Sequence, residues 1–451
     1  MRNICTHLVS GFLFPLHERL KQHTSVNVRK SMEQTQWLSP GEIVQLQTEK
    51  LRQLLIYANI HVPYYRDLFV RLNFQPEKLD TLADLQQLPF LDKPTIRMYL
   101  EELKSDQACH LARFNTGGSS GEPLVFFIGK ERVSHDIAAK WRATRWWGMD
   151  IGDPEIVIWG SPIELGAQDA LRTLRDRLFR SKLLPAFEMS NQKIEDFLNT
   201  IRKFRPKMLF GYPSALSHIA KYADKTGIIM SDLDIEVAFV TSERLYDDQR
   251  KQISDTFGCR VANGYGGRDA GFIAHECPAG RMHITAEDIV VEIIDPHGRS
   301  LPHGESGEIV VTHLASRDFP FIRYRTGDIG ILDDEVCACG RGLPLIKEIQ
   351  GRNTDFIVAR DGTVMHGLAL IYILRDMPQI KTFKIIQESM DFTRVLLITE
   401  DGLSQVDTDR IIVSFQARLG RDVIIAIEQV SEIPTEKSGK FRYVVSKVTA
   451  G

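Results

Sequence analysis

From about residue 110 to 350 the chain alternates short β-rich runs with helical stretches, and this constrains the fold more than any other feature. Leu124–Ile128, Glu155–Trp159, Val237–Thr241 and Ile289–Ile294 are dense in branched and aromatic side chains, as strands require. Gln192–Phe204 and Tyr246–Phe257 carry helical spacing between them. Alternation of this kind predicts an α/β sheet with helical cover.

The flanks read differently. Residues 1 to about 105 look helical. Ser39-Pro40-Gly41-Glu42 supplies a capping hydroxyl, a first-turn proline and a reciprocal Glu, and Ile43, Leu46, Leu51, Leu54, Leu55 and Ala58 then mark one buried face. Pro63 and the stretch from Pro89 to Pro94 interrupt the pattern. Leu8–Phe14 is a short apolar run that Pro15 should end, with no small-residue cleavage site after it. After residue 350, Gly367–Asp376 reads as a helix, Ile380–Gln387 and Thr393–Thr399 as strands, Val406–Leu419 as a helix and Val423–Val430 as a strand. Ile412, Phe415 and Leu419 would share the inner face of the second helix. Such a unit can carry its own core, and the boundary falls near Gly351–Thr354.

The charge balance, 56 Lys and Arg against 59 Asp and Glu, lacks the positive field of a nucleic-acid binder. No run is long and apolar enough for a membrane span, and six cysteines in 451 residues are too sparse for a disulfide scaffold. The expectation is a cytoplasmic protein with reduced cysteines.

Three local clusters suggest chemistry. Thr116-Gly117-Gly118-Ser119-Ser120-Gly121 combines tight-turn glycines with hydroxyl donors, a nest suited to phosphate oxygens or simply a surface turn. It is not a Walker loop, because no Lys-Ser/Thr follows and a strand comes next. Asp328, after Tyr324-Arg325-Thr326-Gly327, is placed to accept hydrogen bonds from a diol, although a charged turn ending a strand would look the same. Pro434–Lys440 presents Lys440 on a Pro/Gly loop, a point charge for phosphate or carboxylate or a solvated basic loop.

The ordered set of motifs resembles the adenylate-forming superfamily of acyl-CoA synthetases, luciferases and peptide-synthetase adenylation domains. Its phenylacetate–CoA ligase-like branch, with the CapK-type proteins of capsule clusters, is the nearest match. The supporting residues run from His61–Arg66 and Thr116–Pro123 through Gly148–Asp153, Asn263–Gly266, Gly304–Ile309 and Tyr324–Asp328 to Gly351-Arg352 and Ser438-Gly439-Lys440. The resemblance implies a large multi-subdomain N-terminal domain over 1–353 and a small mobile α+β domain over 354–451. It also implies two half-reactions. A carboxylate attacks the α-phosphorus of ATP, and a thiol, usually of coenzyme A, then takes the acyl group. Positioning and charge neutralisation would do the catalysis.

Carried over by motif, Thr116–Gly121 would hold the terminal phosphates and Tyr265 would lie against adenine. Ser242, Glu243, Asn263, Gly264 and Gly266 would shape the floor beside it. Asp328 would bind the ribose hydroxyls, Arg352 ribose or phosphate, and Lys440 would bridge carboxylate and α-phosphate. Thr354 falls at the hinge, and Asp269 at the magnesium-ligand position. Three positions depart from the family pattern: Leu124 follows Pro123 in place of lysine, Asp269 stands for the commoner Glu, and Thr354 for Asp or Lys.

Cys277, Cys337 and Cys339 with His283, or His275 as the rival fourth ligand, meet the count for a structural zinc, which some members of this branch hold in a similar arrangement. Three reduced thiols are the alternative. Trp141, Trp146, Trp147, Phe210, Tyr212 and Phe239 offer an aromatic pocket lining, although such spacings usually mark core. The acceptor stays open between coenzyme A and another group, such as a deazaflavin cofactor or a capsular saccharide. A nucleotide-binding protein without turnover is the third reading. The acid and the oligomeric state, a homodimer included, also stay open.

Overall fold

A computed structural model describes residues 4–115, 124–159, 170–186, 188–350, 356–399, 402–433 and 443–448. Its centre is an 11-stranded sheet with a parallel half and an antiparallel half. In the parallel half, Ser181–Pro185, Glu155–Trp159, Met208–Gly211, Val237–Thr241 and Arg260–Gly267 lie side by side. The two strands at 208–211 and 237–241 are buried at every position, as expected of parallel strands covered on both faces. Their crossovers are the helices Asn191–Phe204, Pro213–Thr226 and Asp247–Phe257. Gly227 and Gly258 end two of these helices at positive φ, where a side chain would be strained.

Arg260–Gly267 is the pivot of the sheet. It runs parallel to 237–241 on one edge and antiparallel to Gly271–Glu276 on the other. From there the antiparallel half continues through Met282–Ile284, Leu345–Ile349, Tyr324–Asp333, Gly307–His313 and Ile289–Ile294.

The helices Pro40–His61 and Pro63–Leu72 pack against this half. Ser39 and Glu42 form the reciprocal cap, and the helix Pro40–His61 buries Ile43, Leu51, Leu54, Leu55 and Ala58. Each fully buried leucine contributes about 1.5–3 kcal/mol over an exposed one. Pro15 does not end the first helical run. A π-helical turn at Val9–Leu13 leads into the helix Phe14–Leu20, so the missing N–H of Pro15 falls in the first turn of the new helix, where it is tolerated.

The strand and helix expectations hold to within a residue or two, including those of the C-terminal unit. Its sheet runs Ile424–Gln429, Phe392–Thr399, Ile380–Ser389, Val444–Ser446, packed by the helices Leu368–Arg375 and Gln405–Leu419. Ile411 takes the fully buried place on the second helix beside Phe415 and Leu419, and Ile412 is only partly buried. A three-stranded sheet joins this unit to the body: Phe356–Val358 pairs with Val364–His366, which pairs with Glu188–Met189. Of the six aromatic residues, Trp147, Phe210 and Phe239 are core, in one cluster with Met149 and Met208. Trp141 and Tyr212 are also buried, and Trp146 is partly so.

Candidate active site and metal centre

The carboxyl ends of parallel strands leave room for a ligand, because each chain turns away there into its helix. Tyr212, Ser242-Glu243 and Tyr265-Gly266 all stand at such ends. Register places Thr241 opposite Gly264, so the turn at Ser242 and the end of 260–267 are neighbours. Ser242 holds φ at +73°, a sparsely populated conformation for a serine and a mark of a constrained turn. Glu243 is half-buried and accepts a 2.5 Å hydrogen bond from the Ser214 hydroxyl. Burial raises its carboxyl to about 7, against the opposing hydrogen bonds from Ser214. Burial raises the Tyr212 phenol too, and the charge of Glu243 adds to the rise.

The floor residues serve different ends. The Asn263 backbone N–H donates to Glu276 at 2.8 Å, and Arg250 closes on the same carboxylate at 2.9 Å. At Gly266 a Cβ would lie 2.3 Å from the Gly271 carbonyl oxygen, so only glycine lets the hairpin close.

Two carboxylates sit beside this hairpin: Tyr265, on the strand before the Asp269 turn, holds one, and Tyr324, on the strand of Asp328, holds the other. The Tyr265 hydroxyl donates to Asp328 at 3.1 Å, and the Tyr324 hydroxyl donates to Asp269 at 2.6 Å. The crossing fixes Asp269 and Asp328 relative to each other. Tyr324 was not singled out from its sequence alone. A fully buried phenol that must find a hydrogen-bond partner is the signal that would have found it.

Arg132 supports the same loop from behind. Its guanidinium, 1% exposed, donates to the carbonyls of Arg268 and Asp269 at 3.3 and 3.0 Å and pairs with Asp136 at 3.3 Å. His313 lies 3.7 Å from Asp136. Thr116–Gly121, Arg352, Thr354 and Lys440 lie outside the described residues.

The second constellation is a metal-ligand set. Donor atoms of Cys277, His283, Cys337 and Cys339 all lie within 4.8 Å of one another. The Cys277 and Cys337 sulfurs are 3.6 Å apart, and Cys339 Sγ is 3.3 Å from His283 Nε2. His283 Nδ1 faces the Leu343 carbonyl at 3.3 Å, which turns Nε2 inward toward the thiols. Donor number, donor type and spacing fit tetrahedral zinc. His275 is not part of the set. Its ring stacks on Phe272 and lies near Phe239 inside the core, where burial lowers its pKa to about 3.

A parallel sheet with this constellation at its carboxyl ends, followed by a small α+β unit, is the architecture shared with adenylate-forming ligases of known structure. Residues 183–314 match the AMP-binding enzyme family and residues 357–447 the CapK C-terminal domain. The relatives it resembles fall in the phenylacetate–CoA ligase-like and CapK branch. It is 24% identical to Protein CapK of Staphylococcus aureus over 412 residues, covering 90% of each chain. It is 27% identical to the phenylacetate-coenzyme A ligase of Thermus thermophilus over 349 residues, covering 74% of this chain and 76% of that one. The structure of 2-hydroxyisobutyryl-CoA ligase with 2-HIB-AMP and CoA in its thioesterification state superposes with a TM-score of 0.65 at 22% identity, over 90% of each chain.

Proposed function

We propose that the chain activates a carboxylic acid with ATP and passes the acyl group to the thiol of coenzyme A. In the first half-reaction a carboxylate oxygen attacks the α-phosphorus, the bond to the bridging oxygen breaks, and pyrophosphate leaves. In the second the sulfur attacks the acyl carbon and AMP leaves. The crossed Tyr265–Asp328 and Tyr324–Asp269 pairs carry this reading. They hold two acceptor-only groups at a parallel-strand edge, one for a ribose diol and one for a cation.

In this reading Asp328 takes the ribose hydroxyls and Tyr265 lies against adenine. Thr116–Gly121 and Arg352 take the phosphates, Lys440 bridges carboxylate and α-phosphate, and Thr354 is the pivot of the small domain. Asp269 would hold magnesium, which when bound neutralises phosphate charge. Cys277, His283, Cys337 and Cys339 would hold a structural zinc that ties the 276–283 hairpin to the 337–343 loop.

A second reading keeps the first half-reaction and changes the acceptor to a deazaflavin cofactor or a saccharide. The match to Protein CapK and to the CapK C-terminal domain favours it. Pyrophosphate exchange over a panel of carboxylic acids tests both. Exchange with some acid, lost in Lys440→Ala, supports adenylation, and thioester formation on adding coenzyme A then selects the first acceptor. ATP binding without exchange across the panel would sink both.

A further inference from the structure

The helical run Ile4–Leu20 is docked by one face and apolar on the other. Inward, Thr6, Val9, Phe14 and Glu18 are all buried. The Thr6 hydroxyl donates to Asp153 at 2.7 Å, and Phe14 packs edge-on to Trp141 at 5.0 Å. Outward, Ile4, Leu8, Phe12, Leu16 and Leu20 are 85%, 55%, 61%, 46% and 77% exposed. A surface helix ordinarily turns polar residues to water, so an apolar outer stripe on an already anchored helix calls for an occupant.

The stripe repeats every four residues, which in a pure α-helix drifts around the axis by about 40° per step. The wider π turn at Val9–Leu13 takes up part of that drift and keeps the stripe on one side. It continues onto a second helix. Phe179 contacts both Phe14 and His17, which brings Ala170–Leu178 alongside with Leu174 and Leu178 54% and 51% exposed.

Basic residues flank this surface. Arg19 and Lys21 stand at the end of the first helical run and Arg177 lies between Leu174 and Leu178 on the second helix, all three exposed. Of the nearby acidic groups, Glu18 is buried on the inner face and Asp176 is paired with Arg175 at 2.5 Å. The chain as a whole is slightly acidic, so this positive rim is local.

We propose that the outer faces of Ile4–Leu20 and Ala170–Leu178 form a docking surface for an anionic lipid bilayer, lying in the headgroup region. A basic rim around an apolar stripe is the composition of an interfacial helix. No helix among the described residues is long and apolar enough to cross a membrane, so the contact lies on the bilayer. A second copy of the chain fits less well, because the same surface on the copy would offer the rim no unpaired acidic partner.

The test is co-sedimentation of the full chain with vesicles of phosphatidylcholine alone or with about one-third phosphatidylglycerol. The expected result is partitioning onto the anionic vesicles that falls at least about tenfold in Leu8→Glu/Phe12→Glu and in Lys21→Glu/Arg177→Glu. All four side chains are exposed or half-exposed, and an unchanged melting temperature checks that the fold is kept. Absence of binding, or equal binding by the Leu8/Phe12 variant, overturns the proposal. So does a lipid-free dimer in light scattering that the Leu8/Phe12 variant dissolves, since the stripe then belongs to a second copy.

Discussion

Arg132→Met isolates the support behind the Asp269 loop. The substitution keeps the bulk of the side chain and removes a guanidinium that is 1% exposed. Asp136 would then lose its cation, and the carbonyls of Arg268 and Asp269 would lose their donor. Breaking one side of a buried pair costs about 3–5 kcal/mol. Asp136 keeps 22% exposure and has His313 at 3.7 Å, which places the loss near the lower end, about 3 kcal/mol. His313 cannot replace the cation at neutral pH unless its pKa climbs well above the value of about 4 to which burial and then the Arg132 charge hold it. In calorimetry the melting temperature of the N-terminal body should fall by roughly 6–12 °C. Arg132→Met/Asp136→Asn leaves no orphaned charge and should recover at least ~1 kcal/mol relative to the sum of the single variants. Because Arg132 acts on Asp269 through its backbone, the single variant should also need more magnesium for half-maximal pyrophosphate exchange. A loss below about 1 kcal/mol, or strictly additive single variants, would refute the reasoning.

The remaining predictions concern the two sites and the buried charges. Protein purified without added metal should contain about one zinc per chain by mass spectrometry, and Cys339→Ser should bring this below about half. Asp328→Ala removes an ionised acceptor worth about 1.5–3 kcal/mol per hydrogen bond, so calorimetric ATP affinity should drop roughly 10–100-fold, and only a few-fold in Tyr265→Phe. The His135–Asp288 pair, 2.6 Å apart, should give stability a maximum between about pH 4 and 6.5. Burial alone would raise the Asp288 carboxyl, but His135 and Lys50 hold it well below its ordinary 3.8, so its contribution is present above that value and lost as pH falls. Burial likewise opposes the His135 charge, yet Asp288 raises its pKa above 6.5, so its contribution is present below 6.5 and lost as pH rises through the raised value. Urea midpoints across pH should show both limbs, and Asp288→Asn should flatten them.

What was legible in the sequence follows from how local each signal is. The parallel strands announce themselves because burial on both faces forces an apolar run, and Val237–Thr241 is buried throughout. The Ser39 cap is equally local, its partner Glu42 three residues on. Pairings across the sheet are not. Tyr265 finds Asp328 and Tyr324 finds Asp269 only through register between strands distant in the chain. The choice between His275 and His283 has the same origin. The two face each other across one hairpin, and what selects His283 is where the Leu343 segment crosses it. The outer stripe of the first helix was readable only as an apolar run, because which of its residues face the body depends on Phe14 meeting Trp141.

The small sheet that joins the C-terminal unit to the body would act as a latch in the rotation proposed above. Any rotation of that unit must first unzip Val364 from Met189 and Met365 from Glu188. Backbone hydrogen bonds of this kind contribute only about 0.5–1.5 kcal/mol each. Two or so hold one orientation at rest without locking it, since a differential affinity of the same size suffices to move the balance. If the unit pivots at Thr354 as proposed, Met189→Pro should change its resting orientation without touching Asp328 or Asp269.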